Sequence, residues 1–144
     1  MPPTPYRYTH PKAFADLAGE TYINLTTFRK NGVAVATPVW FADREGTLYV
    51  ETGVNAGKVK RIRHTSRVFL APCTISGKVK GPAVEGRARL VDSVEEQYVA
   101  KGALQRKYGL RRQLYYALLT ALAWLGRRST EPIQYIAIEP TYIA

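Results

Sequence analysis

The chain has 144 residues, 46% hydrophobic and 22% charged, which suits one domain with a real core and does not suit a disordered segment. One cysteine (Cys73) excludes an internal disulfide and fits a reducing compartment, and one cysteine with two histidines excludes the usual zinc clusters. Twenty-one Lys and Arg against eleven Asp and Glu give a net charge of +10, a field that attracts nucleic acid, acidic lipid or a phosphorylated small molecule without choosing among them.

Residues 1–12 carry four of the nine prolines and read as an extended arm with no apolar run that could serve as a secretory signal. Asp16 to Gly19 has weak helical character. Tyr22 to Phe28 alternates and is rich in strand formers. Lys30-Asn31-Gly32 signals a hairpin, because Asn-Gly supplies the positive φ angles of a tight turn. Val33 to Ala42 is the returning strand, with Pro38 inside it, and Asp43 to Gly46 turns into a third strand over Thr47–Thr52. Gly53 to Gly57 breaks the pattern. Lys58 to Thr65 reads as a short helix burying Val59 and Ile62. Arg67–Ile75 and Val79–Val91 are strands, the second bent at Gly81-Pro82.

Asp92-Ser93 followed by Glu95-Glu96 is a helix start, an N-cap with acids in the first turn. That helix should stop at Gly109. A second should run from about Leu110 to Leu125, ended by Gly126, so that residues 93–126 form a helical insertion before a last strand, Ile133–Ile143. The apolar run Leu114–Leu125 is twelve residues, interrupted by Thr120, against about 20 for a membrane span. Six strands, mostly hairpin-linked, with helices inserted late, predict a mainly β single domain: a small closed barrel carrying helices. The expected setting is soluble and cytoplasmic.

The charge is not spread evenly. No acid occurs between Glu51 and Glu85 or between Glu96 and Glu131, and those two blocks hold fourteen of the twenty-one bases. In the first block a strand ends in a glycine-containing loop and a basic helix begins: Gly57-Lys58-Val59-Lys60-Arg61. A helix N-terminus offers free N–H groups and the positive end of the dipole, so cations there are unfavourable unless an anion sits among them. The segment approaches a P-loop and fails. It is one residue short, and Val59 stands where a hydroxyl would hold magnesium. A solvated basic helix over one end of a barrel is the plain alternative.

Ala36 to Phe41 is the second unusual segment. Proline confines it to an edge or a bulge, where Trp40 offers stacking area to a planar ligand; an edge strand with core aromatics is the other reading. His64 beside arginines fits a surface role, and Cys73 fits the core. No Ser/His/Asp set or carboxylate pair is visible, so no catalytic residue is assigned: any acid–base catalysis would have to come from isolated groups, or a cofactor must carry the chemistry. On the second helix Leu114, Leu118, Ala121, Leu122 and Leu125 share a face, widened by Tyr115, Leu119 and Trp124. Packing on the barrel or on a second subunit is expected, and a membrane-surface helix with flanking bases is the alternative. No motif for RNA or DNA is present, so nucleic-acid binding is not expected.

Taken in order, Leu25-Thr-Thr-Phe-Arg29, Thr37-Pro-Val-Trp-Phe41, Thr52, Gly57-Lys-Val-Lys-Arg-Ile-Arg63, Arg67-Val-Phe-Leu-Ala-Pro-Cys73 and Gly81-Pro-Ala-Val-Glu-Gly86 resemble the pyridoxamine 5′-phosphate oxidase-like flavin split-barrel superfamily, and within it the F420-dependent oxidoreductase branch. The resemblance covers about Tyr22 to Val91. It implies a six-stranded split barrel that forms a homodimer, with F420, or FMN as the alternative, bound in grooves at the subunit interface and passing hydride to or from a small organic substrate. It implies that Thr37, Pro38, Val39 and Trp40 line the ring and that Thr52 and Gly57 contact the ribityl–phosphate region. Lys58, Lys60 and Arg61 would hold phosphate, and the polyglutamate tail of F420 would suit the excess bases. Cys73 and the Lys80-Gly81-Pro82 bend would approach from the interface side. A carrier that binds the cofactor without turnover uses the same residues. The sequence departs from pyridoxamine 5′-phosphate oxidase itself at Thr37, where that enzyme has a phosphate-binding arginine, and lacks its arginine-rich C-terminal segment, so vitamin B6 oxidation is not expected.

Overall fold

The computed structural model describes residues 14–126 and 131–141. The expected arm over residues 1–12 and the pair Arg127-Arg128 lie outside the described residues.

Among the described residues, seven strands form one antiparallel sheet: β1 (Tyr22–Phe28), β2 (Ala34–Val39), β3 (Phe41–Arg44), β4 (Thr47–Gly53), β5 (Arg67–Cys73), β6 (Val84–Leu90) and β7 (Ile133–Pro140). Their spatial order is β2-β1-β5-β6-β7-β4-β3. The two edge strands, β2 and β3, are consecutive in sequence and separated only by Trp40. One residue spans at most about 3.6 Å, so the sheet's two edges have to meet at that point. The sheet therefore curls into a half-barrel.

The expected strand over Val33–Ala42 is thus two strands. Before Trp40 the chain pairs with β1, Val39 opposite Ile23; after it, Phe41 lies opposite Val50 of β4. The Tyr108 hydroxyl bridges the break. It donates to the carbonyls of Thr21 and Phe41, both at 2.8 Å, and accepts from the Phe41 N–H at 3.0 Å. Only one phenol hydrogen is available, so the two acceptors share it. Pro38 is tolerated because β2 has a partner on one side only.

Two turns exchange roles. The Asn31-Gly32 turn has positive φ at Gly32 alone (87°), with Asn31 Oδ1 accepting from Val33 N–H. The two-residue turn with both φ positive is Glu45-Gly46, joining Arg44 and Thr47. The sixth strand is shorter than the expected Val79–Val91: only a single bridge, Val79 to Cys73, precedes the Gly81-Pro82 bend, and pairing resumes at Val84.

Asp16–Gly19 is a 3-10 turn. Helix α1 (Gly57–His64) buries Val59 and Ile62, contributing roughly 1.5–3 kcal/mol for each such side chain. Helix α2 (Val94–Tyr108) starts at Ser93, whose hydroxyl accepts from Glu96 N–H, and ends at Gly109 with φ 50°. Helix α3 (Leu110–Trp124) follows at once. One core fills the curl, with Ile23, Leu25, Phe41, Leu48, Val50, Leu70 and Ile138 among its members. A second lies between the outer face of the sheet and α2, built on Tyr49, Ala100, Leu104, Tyr108 and Ala137. Strands β4 and β7 separate the two cores, which is why their central residues are buried on both faces.

α3 does not pack its leucines on the barrel. Leu110, Leu114, Leu118 and Leu125 are exposed, and the buried residue of the helix is Arg112. The helix is turned roughly half a revolution from the orientation its leucine stripe suggests, with the buried Arg112–Glu51 pair and the Tyr115–Trp40 contact on its inner side.

Candidate functional site

A cavity of about 640 Å³ opens between the end of β2, the end of β4, the start of α1 and the inner side of α3. Pro38, Val39 and Trp40 form one wall. Thr52, Gly53 and Lys58 form the next, and Tyr115, Tyr116, Leu119 and Thr120 close the third side.

The strand break places Trp40. Freed from a ladder, its indole stacks on Tyr108 with centroids 5.0 Å apart and planes at 17°, and meets the edge of Tyr115 at 5.2 Å. Contacts of this kind hold an aromatic side chain in one pose at the cavity wall.

The cation cluster sits where β4 hands over to α1. Ala56 provides no side-chain cap and the first turn holds no acid; a carboxylate, Glu131, lies just ahead of the helix on the same cavity, accepting from the Asn55 N–H at 3.2 Å. Arg61 Nε donates to Thr27 Oγ1 at 2.6 Å. Its guanidinium folds back over Gly57, where a Cβ would come within 2.7 Å of Nη1; glycine is what lets the cation lie over the start of the helix. Lys58 is half-buried, lines the cavity and makes no hydrogen bond or ion pair with any described residue. Burial, and then the charge of Arg61, pulls its ammonium below the usual lysine pKa. Arg61 is shifted down too, by burial and then by Arg29. Arg61 weakens the hold of Lys58 on its proton, Arg29 weakens that of Arg61, and an anion would relieve this crowding of cations.

At the foot of the third wall is a carboxylate that the sequence did not single out. Glu51 receives Arg112 Nη2 at 2.7 Å and the Tyr116 hydroxyl, and Arg112 Nη1 donates to Gln105 Oε1 at 3.0 Å. Both charged side chains are below one-tenth exposed. Burial, then the hydrogen bond to Glu51, raises the Tyr116 phenol far above the usual tyrosine range, so it stays protonated and acts as a donor. The signal was present: Arg112 and Tyr116 are four apart, on the helix side opposite the leucines, and Glu51 directly precedes Thr52. Nothing in the sequence connects residues this far apart.

Of the residues singled out from the sequence, Pro38, Val39, Trp40, Thr52 and Lys58 share the cavity. Gly57 and Arg61 adjoin it through the helix start. Thr37 lies next to Pro38, with its buried Oγ1 lacking a hydrogen-bond partner among the described residues. Lys60 points to solvent. Cys73, Lys80 and Gly81 do not line the cavity of this chain. Cys73 is 2% exposed within the sheet, and burial pushes its thiol pKa up. Lys80 pairs with Glu20 at 3.1 Å, and Gly81 packs on the Pro72 ring. The neighbouring Ile75, in the β5–β6 connection, reaches the cavity instead. His64 is exposed at the far end of α1. Among the described residues no His/Cys/Asp/Glu group could hold a metal.

The residues present fit a phosphate-bearing planar cofactor. The cations without an acid partner would meet a phosphate, and the Pro38–Trp40 wall would offer a flat surface. The family model described as pyridoxamine 5′-phosphate oxidase matches residues 9–140. Among solved structures, an F420 reductase aligns with a TM-score of 0.52 at 18% identity, covering 96% of each chain. An FAD-binding protein from Mesorhizobium loti gives 0.58 at 12%, covering 94% of this chain and 92% of that one. The heme storage protein HutZ from Vibrio cholerae gives 0.61 at 10%, covering 95% and 93%. At these identities the likeness is one of fold. No curated protein matches the chain.

Proposed function

This chain belongs to the pyridoxamine 5′-phosphate oxidase family, and from that premise we propose that it is an oxidoreductase using F420, or FMN as the alternative, on a small organic substrate. The observation that carries the reading is Lys58: a half-buried cation without an acid partner among the described residues, on the same cavity as the Pro38–Val39–Trp40 wall.

When bound, the cofactor ring supplies the hydride chemistry. The chain's own residues bind, orient and exclude water. Lys58 and Arg61, with the N–H groups at the start of α1, hold the phosphate. Thr52 and Gly57 border the ribityl chain. Pro38 and Val39 would give the ring a wall to lie against, beside Trp40, which Tyr108 and Tyr115 hold in place. Tyr115, Leu119 and Ile133 line part of the remaining space, beside the carboxylates of Glu51 and Glu131. A second subunit would cover the open side and bring the Cys73 and Lys80–Gly81 region of its own chain near the ring.

Titration of the cofactor-free protein with F420 and with FMN tests the reading, with Lys58→Ala in parallel. Binding well below millimolar that the variant weakens at least tenfold supports it; no binding of either cofactor ends it. Turnover of the reduced cofactor with a panel of acceptors then separates an enzyme from a carrier on the same fold.

A further inference from the structure

The outward stripe of α3 has no role in the cavity. At 3.6 residues per turn, Leu110, Leu114, Leu118, Ala121 and Leu125 fall within about 80° of arc. All five are exposed, the leucines at 59% to 68%, and Trp124 beside them is 88% exposed. From Gln113 to Gly126 there is no charged residue. Four leucines and a tryptophan on one helix face form an apolar patch that a free surface rarely carries. The opposite side of the helix is committed to the barrel through Arg112 and Tyr116, so α3 lies along the surface with its stripe facing out. No helix of the described residues is long and apolar enough to cross a membrane.

We infer that this stripe docks on the surface of an anionic lipid bilayer. Charge selects that occupant over a second copy of the chain. The stripe lies inside the acid-free block between Glu96 and Glu131; of the bases described there, Arg112 is taken up by Glu51 and Lys107 lies on the Phe41 ring. Lys101, Arg106 and Arg111 in the same block are exposed. A two-fold contact along α3 would set this block against itself, like charge on like charge. An anionic headgroup layer neutralises the bases while its acyl boundary takes up the leucines, the arrangement of an interfacial helix. Because Tyr115, Tyr116 and Leu119 on the other side of α3 line the cavity, the bilayer would lie one helix away from it. This inference does not depend on which cofactor binds, or on whether one does.

Co-sedimentation of the full chain with phosphatidylcholine vesicles, with and without phosphatidylglycerol, provides the test. The wild type should pellet with the anionic vesicles and stay in solution with pure phosphatidylcholine. Leu114→Glu/Leu118→Glu should lower vesicle affinity at least tenfold with an unchanged elution volume. Tryptophan emission of the wild type should shift to the blue on anionic vesicles, and Trp124→Phe should remove most of that shift, a readout that survives if the double variant fails to fold. A wild type that ignores anionic vesicles, a folded double variant that pellets like the wild type, a wild-type emission that does not shift, or a double variant that loses self-association in the absence of vesicles would each overturn the inference, the last by assigning the stripe to a second copy.

Discussion

The two sides of the cavity are held by opposite means. On the strand side, Lys58 and Arg61 are cations without an acid, gathered at a helix start that already favours anions. On the helix side, Arg112 is a cation with its acid, Glu51, buried and further satisfied by Tyr116 and Gln105. The first arrangement is incomplete by itself and reads as a binding site. The second is complete and reads as a fastening. The difference shows why counting charges says little: whether a cation is paired, and how deeply, separates function from scaffold.

The comparison predicts where substitutions act. Removing the acid of the fastening should have the largest effect. Glu51→Ala leaves Arg112 buried without its partner and should cost about 3–5 kcal/mol in urea unfolding. Glu51→Leu combined with Arg112→Met should recover most of that loss, as apolar replacement of a whole buried pair does. On the binding side, Lys58→Ala should leave the unfolding midpoint nearly unchanged and reduce cofactor affinity by about 2 kcal/mol, in the range of one charged hydrogen bond. If Lys58→Ala unfolds the protein, or Glu51→Ala alters only binding, the contrast is wrong.

Tyr108→Phe sharpens a different point, that the curl is pinned at its seam. The Phe41 N–H would lose its hydroxyl partner in a buried place, at a cost of about 1–3 kcal/mol in the same assay. The smallest effect concerns Lys107, whose ammonium lies 3.5 Å from the centroid of the Phe41 ring and whose pKa burial lowers to about 8. An unfolded lysine titrates near ~10.4, so between about pH 8 and pH 10 the unfolded chain holds a proton that the folded chain has released. Stability attributable to this residue therefore rises with pH across that window. Melting curves of wild type and Lys107→Met should diverge there, the variant lacking the rise.

How much of this was legible beforehand depends on the range over which each signal acts. The start of α2 at Ser93 and its stop at Gly109 were readable because capping is local. So was the electropositive start of α1, since the cations and the helix end lie within five residues. The break at Trp40 was not. A run of ten residues with strand character gives no sign that half of it pairs with β1 and half with β4, because that is decided by which edges meet. Whether α3 turns its leucines onto the barrel, or outward toward a second subunit or a membrane surface, was not legible for a related reason. Its leucines form the better apolar face, yet the Glu51–Arg112 pair, formed across 61 residues of chain, lies on the inner side and that face points outward.

By itself, the sequence determined the kinds of element present, most of their ends, and the concentration of positive charge at the junction of a strand and a helix. Those features arise from neighbours along the chain, through backbone propensity, capping and turn geometry. Tertiary structure alone decided that the sheet curls at Trp40, that a buried carboxylate anchors α3, and that an aromatic wall faces Lys58 across one cavity. Each of those joins groups far apart in sequence, and a contact of that kind is fixed by how the whole chain packs.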